Sequence, residues 1–250
     1  MRRISIVFHR DFRELRQTGA FLIVIIIFTI ITIIAAVVTT VVLSRQEWLQ
    51  IKTVARPMLE LIMGLIAYFL PLSILMTIIW VFSSLPIIKE KVNGNIESLL
   101  ATTLTPKEIW MGKSLAIFIP GFIISLVSTL IVLLTVNFIT IRPATGNLFL
   151  PVPLLLTSLL VNLLLFLGLL LFIVLFSLAK NPDTAITPSF IVGFGLMTGI
   201  PLGVATGDIN LASWSFFLWY TVGTAVFWVA VLFSSRLLTK ENIVLSSKGD

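Results

Sequence analysis

The sequence predicts an all-α integral membrane protein with six transmembrane helices, an interfacial amphipathic helix before the first span, and a short cytoplasmic helix between the second and third. Three observations lead there. Of 250 residues, 58% are hydrophobic and only 11% are charged, whereas an average soluble domain carries about 25% charge. Apolar runs recur from Ala20 to Phe233 with no polar block large enough to fold separately, so residues 1–250 read as a single transmembrane domain. The basic residues behind the formal charge of +6 sit in short segments between those runs, where lipid headgroups and topology account for them and nucleic acid does not. With no cysteine there are no disulfides, thiolate metal sites or cysteine nucleophiles.

A hydrocarbon core of about 30 Å takes roughly 20 residues to cross. Six segments reach that length: Ala20 to Leu43, Met58 to Phe82, Ser114 to Ile139, Leu150 to Leu178, Ala185 to Val204 and Leu211 to Phe233. The first is longer than the apolar part of a signal peptide and lacks a clear small-residue cleavage site, so it reads as a retained span. Lys and Arg near span ends are retained in the cytoplasm. An inside N-terminus puts 13 of the 17 there and leaves Arg45, Lys52, Arg56 and Arg142 outside. Both termini are therefore expected in the cytoplasm, in a multi-pass protein of the cell membrane.

Residues 1–19 precede the first span. Ile4, Val7, Phe8, Phe12 and Leu15 recur there at helical spacing, with Arg3, Arg10, Arg13 and Glu14 mostly on other faces. Such a helix would lie among the lipid headgroups of the inner leaflet; the plainer reading is a basic flank that only sets topology. His9, the single histidine, belongs to this segment and has no second histidine or cysteine with which to hold a metal.

Apart from Glu60, the six spans contain no Asp, Glu, Lys, Arg or His. Insertion energetics do not force this. The two Phe, two Leu, eight Ile and five Val of span one sum to roughly −5 to −10 kcal/mol, against about +3 kcal/mol for one charge. The absence therefore speaks about function. A proton-coupled carrier usually needs a buried titratable group, and an intramembrane hydrolase needs a nucleophile with its base, paired aspartates or a metal-binding helix. Glu60 and Asp208, the outer acids close to spans, show no obvious partner for lipid chemistry. Thr77, Asn137 and Asn162 are the candidate pathway-lining residues; for buried amides the alternative is a hydrogen bond between helices. Span five carries Gly193, Gly195, Gly199, Gly203 and Gly207 around Pro201, a pattern that permits close packing or a break into a re-entrant element.

Residues 83–113 form the longest cytoplasmic connection. Its final stretch, "LTPKEIWMGKS", ends like a phosphate-binding loop. Such a loop needs glycine five positions before the Gly of Gly-Lys-Ser, and Lys107 stands there. A helix start fits better, with Thr105 as N-cap, Pro106 at the first position and Glu108 completing a capping box. Lys113 would then snorkel toward headgroups. Upstream, Asn93-Gly94 signals a turn, Asn95 can cap, and Ile96, Leu99 and Leu100 share one face of a short helix. That face suits either a partner's groove or the bilayer surface.

The stretch from Glu90 to Lys113 resembles the loop between spans two and three of ABC-2-type transporter permeases, the membrane subunits of ATP-binding-cassette exporters. In that family a charged residue precedes Gly-Thr-Leu-Glu, followed by a Leu-rich stretch, a Thr-Pro turn, and an acidic-apolar run ending in Gly-Lys. Glu90, Gly94, Glu97, Leu99, Leu100, Ala101, Thr102, Glu108, Ile109, Gly112 and Lys113 match; Asn95 stands where Thr is usual, and Thr103 where Pro is usual, with the proline at Pro106. The resemblance implies a permease that is not itself catalytic and binds no cofactor. It implies two copies of a separate ABC ATPase carrying ATP and Mg, and a second permease chain completing a homodimer or heterodimer in the lipid. Glu90, Gly94, Asn95, Ile96, Glu97, Leu99, Leu100, Thr105 and Pro106 would form the ATPase-coupling interface. The competing expectation is an ATPase-independent secondary carrier or channel.

Overall fold

The computed structural model describes residues 2–83, 95–179 and 187–247, and every regular element among them is helical. α1 (Arg2–Gln17) leads into α2 (Gly19–Ser44). A 3-10 turn, Glu47–Gln50, precedes α3 (Lys52–Phe82). The short α4 (Asn95–Leu100) comes before two long helices, α5 (Pro106–Thr145) and α6 (Val152–Ala179). α7 (Thr187–Ala205), α8 (Trp214–Ser234) and α9 (Lys240–Ser247) complete the chain.

Among the described residues, five helices are long and apolar enough to cross a membrane: α2, α3, α5, α6 and α8. This is a membrane protein. The sixth expected span corresponds to α7, whose apolar stretch Phe190–Ala205 is shorter. α7 nevertheless runs antiparallel beside α3. Phe190 stacks on Trp80 at 4.7 Å, Gly193 faces Met76, and the Tyr68 hydroxyl lies 3.5 Å from the Leu196 carbonyl. Just past its end, Asn210 donates to Glu60 at 3.2 Å. From Trp80 to Glu60 is about 30 Å along α3, at about 1.5 Å per residue.

α5 is the axis of the bundle and packs against α1, α2, α3 and α6. Its 40 residues would span about 60 Å, about twice the hydrocarbon thickness. The expected Ser114-to-Ile139 span is therefore only its central part, because the capping box at Thr105 starts the helix two turns earlier. At its far end the helix widens into a π turn, Asn137–Ile141, next to Pro143, which has no N–H to donate. A second π turn, Thr157–Val161, interrupts α6. Enclosure follows composition: α3 and α6 are the most buried spans, while α2 and α8 turn apolar side chains such as Ile30, Ile33, Val37, Trp219 and Val226 outward. Helices that are apolar all round suit lipid.

The glycines of α7 divide by environment. A Cβ at Gly203 would strike the Ile209 side chain, and Gly207 turns the chain at φ +83°, whereas Gly195 and Gly199 have nothing within 4 Å. α7 continues through Pro201 to Ala205, and the Ile209 amide donates back to the Gly203 carbonyl at 2.9 Å. The span therefore ends in a tight turn rather than a second half-helix. Gly207→Ala is expected to destabilise the fold by about 1–2 kcal/mol, because the left-handed conformation penalises a Cβ, while Gly199→Ala is neutral or stabilising. Thermal unfolding of the two variants in detergent checks both.

Candidate functional site

One end of the bundle gathers α4, the start of α5 and both chain ends. It is built outward from Thr105. The Thr105 hydroxyl accepts from the Glu108 amide at 3.3 Å and the Glu108 carboxylate accepts from the Thr105 amide at 2.8 Å, forming the expected capping box with Pro106 in the first turn. The same turn carries Trp110, whose indole N–H donates to the Leu171 carbonyl of α6 at 2.7 Å.

The Gly-Lys-Ser tripeptide follows, and its role is to join helices. A Cβ at Gly112 would lie 2.6 Å from the Val7 Cβ and 3.2 Å from the Ile4 carbonyl oxygen. Only a bare backbone lets α1 come this close. Lys113 does not snorkel, contrary to the sequence expectation: it is buried, and its Nζ lies 3.1 Å from Asp11 Oδ2. Asp11 also receives Arg10 at 2.7 Å. Ser114 is buried with no hydrogen-bond partner for its hydroxyl. The apolar side of α1 is correspondingly covered by protein: Val7 and Leu15 are buried, with Phe8 and Phe12 half-buried.

The turn after α4 is held from both termini. Arg3 Nη1 donates to the Thr103 carbonyl at 2.9 Å, and Lys240 Nζ donates to the Leu100 carbonyl at 3.2 Å. The Thr102 hydroxyl closes the last turn of α4 onto the Leu99 carbonyl at 2.6 Å. Leu100 is buried in the chain's own core and Leu99 is half-buried against it, so Leu100 is not free to fill a partner's groove. The exposed surface here is Ser98, Ala101, Thr102, Thr103, Thr105 and Lys107, with Pro106 half-exposed. Glu90 and Gly94 lie outside the described residues; Asn95, Ile96 and Glu97 belong to α4, and their side chains also lie outside what is described.

The three candidate pathway residues do not gather. The Thr77 hydroxyl donates to the Ser73 carbonyl one turn back at 2.8 Å. Asn137 donates to the Leu133 carbonyl at 2.9 Å and accepts from the Phe149 amide at 2.7 Å, which pins the α5–α6 connection. Asn162, completely buried, accepts from the Tyr220 hydroxyl at 2.5 Å. The outer acids do have partners: Glu60 pairs with Arg56 at 3.3 Å and with Asn210, and Asp208 accepts from Thr206 at 2.7 Å. Among the described residues, no group of three or more His, Asp and Glu could hold a metal ion.

Sequence reasoning missed Asp11, Arg3 and Lys240. A signal for Asp11 was present: it interrupts the stripe Ile4, Val7, Leu15 with a carboxylate. Truncating one member of a buried pair strands the other charge at about 3–5 kcal/mol, whereas replacing both with apolar residues is often neutral. Asp11→Leu is therefore expected to destabilise by about 3 kcal/mol, and Asp11→Leu with Lys113→Met to recover most of that loss, read as melting temperatures in detergent. No protein-family model, curated protein or solved structure matches this chain.

Proposed function

We propose that the chain is the membrane-spanning permease subunit of an ATP-driven exporter of the ABC-2 kind, forming part of a translocation pathway and coupled to a separate ATPase. The observation that carries this reading is the pinning of the α4 turn. Arg3 and Lys240 hold carbonyls only three residues apart, and α1 in turn holds α5 through Gly112 and Lys113. A protein pressing on this turn would act on both termini and on the central helix together. In the resembling family this loop meets the ATPase.

Topology supports the reading. With α1 and α9 at one end of the bundle, an even number of crossings fits, and α7, running beside α3, would be the sixth beside the five long helices. The basic residues put that end in the cytoplasm. The spans hold no Asp, Glu, Lys, Arg or His at depth, so the energy for alternating access would come from ATP and Mg on two partner ATPase subunits, shifting populations of a permease dimer. Because Leu100 is committed to the core, the partner surface is the exposed rim at Ala101 to Thr103.

The test is affinity purification of the tagged chain from its own membranes, followed by an assay for vanadate-sensitive ATP hydrolysis. The expected outcome is hydrolysis that copurifies with the wild type and is lost with Ala101→Arg or Glu97→Arg, while expression and membrane insertion are unchanged. Hydrolysis retained by both variants overturns the coupling surface. Uphill transport by the purified chain without ATP assigns it to the carriers instead.

A further inference from the structure

The chain has two tyrosines, which meet in the interior of the bundle, Tyr220 being bonded to Asn162. Tyr68 of α3 and Tyr220 of α8 meet edge to face with ring centres 6.1 Å apart. The Tyr220 hydroxyl donates to Asn162 Oδ1 at 2.5 Å. The Tyr68 hydroxyl lies 3.5 Å from the Leu196 carbonyl of α7 and also hydrogen-bonds with Tyr220. Four helices thus contribute polar groups to one place. Tyr68 lies halfway along the apolar length of α3, and Asn162 is about 15 Å into α6 from Val152.

Two features coincide at this cluster. Asn162 Nδ2 is buried with no hydrogen-bond partner, and Asn162 follows directly on the π turn Thr157–Val161. In hydrocarbon no solvent satisfies a stranded donor, so such a group is retained against its cost. π turns within helices are frequent at functional sites. Around these donors are aromatic faces: Phe69 packs edge-on to Tyr68 at 5.8 Å, and Phe216 stacks on Tyr220 at 5.4 Å.

We infer that Tyr68, Asn162 and Tyr220 form a recognition point for an uncharged oxygen acceptor, such as a ketone, ester, amide or ether oxygen, on an amphipathic transported molecule. The inference rests on the reading of this chain as a translocation pathway and adds the substrate class. The chemistry selects for charge neutrality: no Asp, Glu, Lys, Arg or His occurs in α6, α7 or α8, and those of α3 are confined to its first turns, ending at Glu60. It also selects for acceptors, because the site offers an unpartnered amide N–H beside the Tyr68 hydroxyl, flanked by rings that pack a flat apolar body. The shared acceptor chemistry also belongs to ester carbonyls of membrane lipids, and the transported molecule is favoured because the cluster lies at mid-depth, away from the headgroup level where those esters sit.

The probe is Prodan, a neutral naphthyl ketone, titrated into the full chain in nanodiscs and read by energy transfer from tryptophan. Binding is expected to saturate. Tyr68→Phe and Asn162→Leu should each weaken it about tenfold, and 2-propylnaphthalene, which lacks the ketone, should not compete. Tyr68→Phe keeps the ring and its packing and removes only the hydroxyl, so a melting temperature within a few degrees of the wild type separates recognition from folding. Non-saturable binding, equal affinity in the variants, or displacement by the hydrocarbon overturns the inference. So does about tenfold tighter binding in diether discs than in ester discs, which would assign the site to lipid carbonyls. The measurement uses neither ATP nor an ATPase, so it fails or succeeds independently of the exporter reading.

Discussion

The seating of Val7 on the bare backbone of Gly112 is the contact on which the rest of the terminal end depends. Once α1 lies that close to α5, the carboxylate of Asp11 is carried to Lys113, and Arg3 comes within reach of the turn after α4. None of these polar contacts is local in sequence, the partners standing about 100 residues apart. Each requires an apolar close approach to have been made first. A larger residue at Gly112 would not merely add a clash; it would withdraw α1 and leave a buried lysine without its counter-charge.

A second constraint operates at depth, where each polar group must find its partner within the protein. Most hydroxyls meet it locally, by bonding to the carbonyl one turn back: Thr32 to Phe28, Thr129 to Ser125, Thr157 to Pro153 and Thr224 to Tyr220. This explains why spans rich in threonine remain helical. The amides cannot all be satisfied so simply. Asn137 uses both of its ends in fixing an outer connection, whereas Asn162 uses one and leaves the other stranded. The same residue type thus serves closure at the end of a span and keeps a donor available at mid-depth.

Much of this architecture was legible in the residues. The capping box at Thr105 and Glu108 is a local pattern, as is the amphipathic period of α1. Apolar length located the five long helices, although it fell short for α5, because Lys107, Glu108 and Lys113 look like loop to a hydropathy count and are helix in fact. The fate of Lys113 was not legible. A lysine at a span end snorkels by default, and the arrival of Asp11 from another helix is invisible in the local sequence. Leu100 illustrates the same limit: an apolar face on a short helix shows that something covers it, and not whether the cover is a partner or the chain itself. The meeting of Tyr68, Asn162 and Tyr220 is a consequence of helix order in three dimensions, with 58 residues separating the last two.

The two polar places are connected by the helices that pass both. α6 receives the Trp110 indole at Leu171 and carries Asn162 nine residues earlier, about 14 Å along the same axis. α3 packs Leu75 and Ile78 against Gly121 of α5 and carries Tyr68 about two turns further on. Interiors packed with fitted side chains do not absorb a displacement by compressing. A movement of α5 driven at its first turns must therefore reappear as a shift of α3 and α6 relative to each other, and those two helices hold the Tyr68 hydroxyl and the Asn162 amide. The unpartnered amide is the group there whose contacts can change at least cost, because it has no bond to lose.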